Sequence, residues 1–417
     1  MTGRNPDRAE QTDAANDRPA RPTGLASASR RGQPRLGRRL GALGAVGVAA
    51  VVLLVASGAG GAVAQEQSPY TTIDPASPGA EQIQSLYKLI FWMALVVFIG
   101  VQFAIVYTAM RFRRSSPAAE RPAQIHGNRR LEIIWTVIPA VVLLVILIPT
   151  ITTLYDQNAA AEEADIVVDV FGKQWWWEMH YQGDSEGRQL GVVTANELHL
   201  PVNREVIIRL HSNNVIHSFW VPRLAGKMDI IPGHINSLSI TPTQTGEFFG
   251  ECTEFCGAQH AWMRFKVVVH SEENFYRWVN EWRTGHPSTL NQQAPPEVVK
   301  APATFAVCLA CHRVNGLEGS QAPIGLEAPQ TMGPNLTNFG CRDALAAGIL
   351  VNNRENLIAW LANPGAVKPG NYMATQIKED TLTPEQEAEL ADYLLSLKPA
   401  GGCIEGEAEL REQGSGA

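Results

Sequence analysis

Three apolar stretches precede residue 155, and they differ in length. The first, Leu40–Ala56, follows a polar, Arg-rich start and ends shortly before the small residues Ala62 and Ala64. A cationic segment, a short apolar run and small residues are typical of an export signal, so residues 1–64 are expected to be a signal peptide cleaved after Ala64. The alternative is an uncleaved third membrane helix, although this run is shorter than the roughly 20 residues that a span needs.

The second and third stretches, Leu86–Met110 and Ile133–Leu154, are each long enough to cross a bilayer as a helix. They predict a transmembrane helix hairpin over residues 80–155. The loop between them carries an excess of Arg, which indicates the cytoplasmic side. The chain is therefore expected to be a multi-pass protein of a bacterial plasma membrane, with everything after about Tyr155 on the periplasmic or extracellular face.

The pattern then changes to short alternating and β-branched segments separated by Pro and Gly turns. These segments fill residues 164–269 and predict an antiparallel β-sandwich or barrel, in a domain of about residues 160–285. Residues 286–303 are rich in Pro and predict a linker.

Helical spacing returns after the linker. Thr383–Gln386 is a capping-box sequence with Pro at the first helical position, and leucines follow it at helical spacing. A small α-rich domain is predicted over residues 304–398. The Gly- and Glu-rich residues 399–417 are expected to be a flexible tail.

Composition narrows the classes of function. The 417 residues carry a net charge of only −7, which leaves no basic field that would hold nucleic acid. Nucleic acid is therefore not expected as a partner. Six cysteines fall into three pairs, and the spacing within each pair is more informative about the type of site than the number of cysteines. The pairs are Cys252 with Cys256, Cys308 with Cys311, and Cys341 with Cys403.

The run Cys252–Met263 packs two thiols, an imidazole, a thioether and a carboxylate into twelve residues. Soft ligands at this density favour copper. We predict a two-copper electron-transfer centre in which Cys252 and Cys256 each bridge both ions. The other expected ligands are His217, His260, Met263 and the backbone carbonyl of Glu254. A disulfide or a zinc site is the alternative, but a disulfide has no use for His and zinc has no use for Met.

The sequence Cys308-Leu-Ala-Cys311-His312 is the attachment signature of a c-type haem. The two thiols form thioethers, and His312 is placed to ligate the iron. The alternatives are a redox-active cysteine pair and half of a zinc site. A second axial ligand must come from later in the chain, where His is absent and the available thioethers are Met332 and Met373.

The run from His217 to Met263 resembles the copper A domain of cytochrome c oxidase subunit II, a cupredoxin Greek-key barrel, and the resemblance covers most of residues 80–285. It implies that Trp175 receives electrons from cytochrome c; an ordinary structural aromatic is the alternative, and two further Trp adjoin it. It also implies that the Glu254 side chain reaches a magnesium ion at the boundary with the catalytic subunit. Asp229 matches another acidic position there, with a solvated loop residue as the alternative.

Glu132, at the start of the second span, resembles the acid at the mouth of the family's K proton channel. A carboxylate at a helix start can also serve only to offset the helix dipole. Both interpretations stay open.

Residues 300–398 resemble a class I cytochrome c. The resemblance favours Met373, in a loop before the last helix, as the second axial ligand, although Ala374 stands where the family often has Pro. It also implies that the Pro334 carbonyl accepts a hydrogen bond from His312 and so orients it. Cys341 and Cys403 remain, and on the oxidising side of the membrane they are expected to form a disulfide. Two unpaired thiols are the alternative.

Together these segments resemble subunit II of the haem-copper oxidases that carry their own cytochrome c. The expected fold is a multidomain membrane protein with a helix hairpin, an all-β cupredoxin barrel and an all-α cytochrome c domain. The resemblance implies a cytochrome c oxidase in which electrons pass from the haem through the two coppers to a separate subunit I, which reduces oxygen and pumps protons. Its partners would be subunit I, other oxidase subunits and a donor such as cytochrome c or a bc-type complex. The alternatives are the copper A subunit of a nitric oxide reductase and a membrane-tethered electron shuttle or copper carrier.

Overall fold

The computed structural model describes most of the chain beyond the predicted signal peptide. The described residues are 70–112, 127–158, 164–284, 301–315, 332–399 and 402–404. The signal peptide and most of the predicted linker lie outside them.

Two long helices, α1 (Pro78–Arg111) and α2 (Arg129–Asn158), form the hairpin. Both are long and apolar enough to cross a membrane, and their apolar side chains are exposed in the isolated chain. Each helix begins before its apolar run because a polar side chain caps it: the Ser77 hydroxyl accepts the Ala80 N–H at 3.1 Å, and the Asn128 side chain accepts N–H groups of the first turn of α2.

Two five-stranded sheets follow. The first contains β1 (Ile166–Lys173), β2 (Trp176–Asp184), β3 (Gln189–Ala195), β5 (Val206–Ser212) and β8 (Asn236–Ile240). The second contains β4 (Glu197–Pro201), β6 (His217–Trp220), β7 (Met228–Ile230), β9 (Gly246–Cys252) and β10 (Arg264–His270). The strand orders are β3-β2-β1-β5-β8 and β4-β10-β9-β6-β7.

The strand directions differ in part from the sequence-based expectation. Most neighbouring strands are antiparallel, but β1 pairs in parallel with β5, and β4 pairs in parallel with β10. The expectation of a purely antiparallel sandwich is therefore wrong for these pairs. Alternation of side chains shows which face of a strand is buried, but it carries no information on the direction of the neighbouring strand.

The core of this domain lies between the two sheets and ends beneath the β9–β10 loop. Trp177 is fully buried there, with its ring centroid 5.6 Å from that of Phe219 and 5.1 Å from that of Phe265. A Cβ atom at Gly250 would lie 2.2 Å from the Phe265 ring, so β9 requires glycine at this point. Helix α3 (Glu272–Thr284) packs along one side of the domain.

The β domain is fixed to the end of the hairpin where α1 begins, by contacts just before that helix. The Ala76 N–H donates to the Arg223 carbonyl at 2.7 Å, and the Ser77 hydroxyl donates to the Leu224 carbonyl at 2.5 Å. Arg223 also pairs with the Asp74 carboxylate at 2.5 Å. Hydrogen bonds to backbone carbonyls and one ion pair thus hold the β domain on the helices.

The last domain has its own core and consists mainly of short helical elements. These are 3-10 turns at Ala303–Ala310 and Phe339–Cys341, then α4 (Arg354–Ala362), α5 (Pro364–Val367), α6 (Met373–Gln376) and α7 (Pro384–Ser396). A two-residue strand pair, β11 (Ala344–Leu345) with β12 (Leu350–Val351), is the exception to the expected all-α character. The capping box of α7 is formed by Thr383 and Gln386.

Cys341 and Cys403 are joined by a disulfide, with their Cα atoms 5.4 Å apart. This links the residues that follow α7 to the 3-10 turn before β11. Ile404, next to Cys403, is buried.

Candidate metal and haem sites

The candidate metal ligands converge where three strands of the second sheet end. His217 begins β6, Cys252 ends β9, and Met263 immediately precedes β10. Because Phe219 pairs with Cys252 across the two strands, the register brings His217 beside Cys252. The remaining candidates, Cys256 and His260, come from the loop between β9 and β10.

The ligand atoms lie close together in this loop. The Sγ atoms of Cys252 and Cys256 are 3.8 Å apart, which is far longer than the roughly 2.05 Å of a disulfide. Two sulfurs that each lie about 2.3 Å from a shared metal can be up to about 4.6 Å apart. The other distances are 3.9 Å from Cys252 Sγ to His217 Nδ1, and 3.8 Å from Cys256 Sγ to both His260 Nδ1 and Met263 Sδ.

Neighbouring groups orient the ligands. The Glu254 backbone oxygen lies 3.3 Å from Cys252 Sγ, so this carbonyl faces the sulfurs. His217 Nε2 lies 3.2 Å from the Asn214 side-chain oxygen, which assigns the proton to Nε2 and leaves Nδ1 free to bind a metal. A Cβ atom at Gly172 would lie 2.9 Å from the His217 ring, so this glycine makes room for the imidazole.

The two thiols influence each other's ionisation. Their mutual hydrogen bond lowers the pKa of Cys252 to about 3, whereas the same bond and burial raise the pKa of Cys256. A metal that takes the place of the shared proton would bind both sulfurs as thiolates. Two buried thiols, imidazole and a thioether form the soft donor set that copper prefers, so the residues fit copper.

The three adjacent tryptophans have different environments. Trp177 is part of the core, and Trp176 lies under the Lys173 ammonium at 4.7 Å. Trp175 instead lies against the metal loop, where its indole N–H donates to the Cys256 carbonyl at 3.0 Å. Gln174 donates to the same oxygen at 2.9 Å.

The candidate acidic residues lie at the surface. Glu254 and Asp229 are both exposed. Asp229, within β7, pairs with Ser218 on β6. The Ser218 carbonyl also accepts the N–H of Thr253, the residue before Glu254, at 3.1 Å, so both acids lie near Ser218. The Glu132 carboxylate accepts the Asn128 N–H at 3.2 Å, at the start of α2.

The Cys308–His312 segment forms a compact turn. The His312 N–H donates to the Cys308 carbonyl at 2.8 Å, and His312 Nδ1–H donates to the Pro334 carbonyl, also at 2.8 Å. Burial lowers the pKa of His312, so the ring is neutral and its Nε2 is free to bind iron. A Cβ atom at Gly333 would lie 2.7 Å from the ring, so only glycine fits beneath it.

A cavity of about 740 Å³ opens beside this turn. Its walls include Cys308, Cys311, His312 and the apolar core of the last domain. Arg342 also lines it; its side chain is buried, and within the described part of the chain its Nε has no hydrogen-bond partner. A large apolar cavity with attached thiols, a free imidazole nitrogen and a buried cation fits a haem and its carboxylates.

Both candidate methionines line the cavity. Met373 opens α6 and packs against the core of the last domain. Met332 is 68% exposed. Packing favours Met373 as the residue held at the cavity.

The β domain completes the wall of the same cavity. Trp175 stacks on Tyr372 with ring centroids 5.5 Å apart, and Lys368 donates to the Trp175 carbonyl at 3.3 Å. Gln259, in the metal loop, donates to the Pro369 carbonyl at 2.8 Å. Burial lowers the pKa of Lys368 to about 8. The two candidate sites therefore meet at Trp175.

Comparison with known proteins gives three family matches, one in each of the three parts of the described chain. Residues 67–153 match the family described as cytochrome C oxidase subunit II, transmembrane domain, and residues 183–271 match its periplasmic domain. Residues 298–398 match the cytochrome c family. With the two sheets and the hairpin, these matches confirm the fold class predicted from the sequence.

Individual relatives give the same result. Cytochrome c oxidase subunit 2 of Alkalihalophilus pseudofirmus is 36% identical over 79% of this chain and 91% of its own length. The protein of the same name from Bacillus subtilis is 33% identical over 79% of this chain and 92% of its own. Among solved structures, the periplasmic domain of subunit II of the cytochrome oxidase of Bradyrhizobium japonicum is 28% identical, with a TM-score of 0.27, and covers 30% of this chain and 96% of that one.

Proposed function

The chain belongs to the cytochrome c oxidase subunit II family, and we propose that it passes electrons from its own c-type haem through a binuclear copper centre to the oxygen-reducing subunit. It is a membrane-anchored subunit of an oxidoreductase complex. The observation that carries the proposal is the position of Trp175, which lines the haem cavity and also donates to the Cys256 carbonyl at 3.0 Å. One side chain thus contacts both sites.

Copper and haem, when bound, would supply reversible one-electron chemistry, and residues of this chain would hold both groups. At the metal loop, Cys252 and Cys256 would bridge two coppers. The other groups that would hold the two coppers are His217, His260, Met263 and the Glu254 carbonyl. In the haem cavity, Cys308 and Cys311 would attach the haem through thioethers. His312, oriented by the Pro334 carbonyl, and Met373 would hold its iron.

The remaining residues support a position within an oxidase complex. The exposed carboxylates of Glu254 and Asp229 would face the catalytic subunit, where Glu254 would contribute an oxygen ligand to a magnesium ion. The Arg-rich segment between α1 and α2 would lie in the cytoplasm, which puts both redox sites on the outer face of a bacterial plasma membrane. Glu132 would lie near the cytoplasmic surface, where protons are taken up.

Tyr372 covers the Trp175 ring, so an external donor would not use this tryptophan directly. A donor such as cytochrome c or a bc-type complex would instead pass electrons to the haem domain. The other oxidase subunits would receive them only after the copper centre.

Metal and haem content tests the proposal. The full chain, purified with its partner subunits, should contain two coppers and one covalent haem for each copy of this chain in addition to those of the catalytic subunit. The isolated full-length chain in detergent should therefore contain two coppers and one haem, and the complex should consume oxygen. One copper per isolated chain, or zinc in its place, would contradict the binuclear centre, and consumption of nitric oxide instead of oxygen would contradict the oxidase.

A further inference from the structure

The segment after α7 turns back across the last domain and reaches the β domain. The Gly402 N–H donates to the Pro399 carbonyl at 3.0 Å, and Gly402 has a φ of +79°, a conformation that favours glycine. Cys403 is then bonded to Cys341. The turn and the disulfide together fix the direction in which the next residue, Ile404, leaves the last domain.

Ile404 is 5% exposed, and its side chain belongs to the hydrophobic core of the β domain instead of its own. Ile404 lines a small crevice between the two domains together with Trp278 and Trp282 of α3, Pro399 and the disulfide. The open space in this crevice is about 20 Å³, roughly that of one water molecule. The Ile404 side chain is therefore buried where the two domains meet.

The residues that follow Cys341 contact the same face of the β domain. The Asp343 carboxylate lies 2.9 Å from the Lys266 ammonium on β10, and the Asp343 N–H donates to the Glu197 carboxylate at 3.2 Å. The Arg342 guanidinium lies 5.9 Å from the Trp282 ring. The disulfide thus ties Ile404 to the segment through which the last domain is already docked.

We propose that Gly402–Ile404, anchored by the Cys341–Cys403 disulfide, is a strap that holds the last domain on the β domain and so keeps Tyr372 against Trp175. Ile404 is a positioning residue in this account, because it contacts neither the metal loop nor the haem cavity. This proposal depends on the proposed function only where electron transfer is the measured quantity. Without the strap, the last domain would be undocked from the β domain in a fraction of the molecules. Electron transfer between the haem and metal sites would then be slower.

The test compares Ile404→Ser with Ile404→Val in the full chain loaded with copper and haem. After rapid photoreduction of the haem, the Ser variant should show a slow phase of electron transfer to copper that the unmodified protein lacks, since losing one buried side chain of this size raises the ratio of undocked to docked molecules at least about tenfold. The Val variant should stay close to the unmodified rate. Val351→Ser is the matched control, because Val351 is 65% exposed and lies on the same domain. The double variant Cys341→Ser/Cys403→Ser should behave like Ile404→Ser.

Amide hydrogen exchange around Tyr372 provides a readout that needs no electron transfer, and it should be faster in Ile404→Ser. An unmodified transfer rate together with unmodified exchange in that variant would overturn the strap. If Ile404→Ser does not retain its haem and copper spectra, Ile404→Ala must show both effects. Absence of transfer in the unmodified protein, with faster exchange in Ile404→Ser, would contradict the proposed function and leave the strap supported.

Discussion

Individual side chains at the haem site are held by contacts that tolerate little change. Gly333 lies directly beneath the His312 ring, and the next residue supplies the carbonyl that accepts the His312 Nδ1–H. The glycine and the hydrogen bond thus fix one orientation of the imidazole. Burial lowers the pKa of His312 and keeps the ring neutral, as an iron ligand must be.

Replacing Gly333 by Ala should disturb this arrangement, because the added methyl group would lie 2.7 Å from the His312 ring. Overpacking of this kind typically costs about 1–3 kcal/mol. The haem-monitored unfolding temperature of the full chain should fall, and the low-spin haem spectrum should weaken. Gly100→Ala is the control, since nothing lies within 4 Å of the Cβ position there. Equal unfolding temperatures for the Gly333 variant and the unmodified protein would show that His312 is not held in this way.

The axial ligand can be identified by a matched pair of substitutions, Met373→Leu and Met332→Leu. The first should abolish the absorption and magnetic signature of a methionine-ligated low-spin haem, because Met373 packs at the cavity. The second should leave that signature unchanged, because Met332 is mostly exposed. The reverse result would assign Met332 as the ligand.

The sequence alone identifies individual functional residues when their residue type is rare and chemically specialised. Cysteine, histidine and methionine at ligand spacing identified the residues that surround the metal loop and the haem turn. Gly333, Gln174 and Tyr372 were missed, because a glycine, an amide or an exposed aromatic has many ordinary roles. Their function depends on which neighbours the fold brings to them, and no local pattern encodes that.

At the scale of elements, the parallel pair β4 and β10 buries two histidines. His199 Nδ1 lies 2.8 Å from His270 Nε2, and the His199 ring stacks on Trp278 at 4.2 Å. Burial lowers the pKa of His199 to about 3 and lowers that of His270 as well. Both rings are therefore neutral in the folded protein near neutral pH and take up protons more readily when the protein unfolds.

This depressed pKa predicts a loss of stability in acid. An unfolded chain binds a proton at His199 below about pH 6.5, whereas the folded chain does so only near pH 3, so stability is retained above pH 6.5 and falls between these values. At pH 5, protonation of His199 in the unfolded chain should lower the free energy of unfolding by about 2 kcal/mol relative to neutral pH. The decline of the unfolding temperature from pH 7 to pH 5 should be shallower in His199→Phe. His234→Phe, at an exposed position, should retain the full decline. Equal declines in all three proteins would contradict the burial argument.

Elements were predictable when their signal was local. Both membrane helices and the capped helix α7 could be located because hydrophobic length and capping residues lie within the element itself. The parallel pairing of β1 with β5 could not be foreseen, because it joins strands separated by three others along the chain. The strand pair β11 and β12 was also missed, since two residues are too short to show alternation.

The whole molecule is organised around the contact between its two redox domains. Three groups of contacts join them: the Trp175–Tyr372 stack, the Lys266–Asp343 ion pair, and Ile404 in its crevice. The fused haem domain suggested that Trp175 is covered, but the residues that make these contacts could not be derived from the sequence, because each contact depends on two surfaces meeting. Sequence motifs identified a copper centre and a haem, and the structure adds that one cavity wall is shared between their domains.

The measurement that tests the central claim most directly is electron transfer within the single full-length chain. The haem is reduced by a light pulse in the oxidised, detergent-purified protein, and the haem and copper absorption bands are followed together. We predict that haem reoxidation and copper reduction occur with one rate, independent of protein concentration, and with one electron gained by copper for each electron lost by the haem. A haem that stays reduced while copper stays oxidised, or a rate proportional to protein concentration, would contradict an internal path from haem to copper.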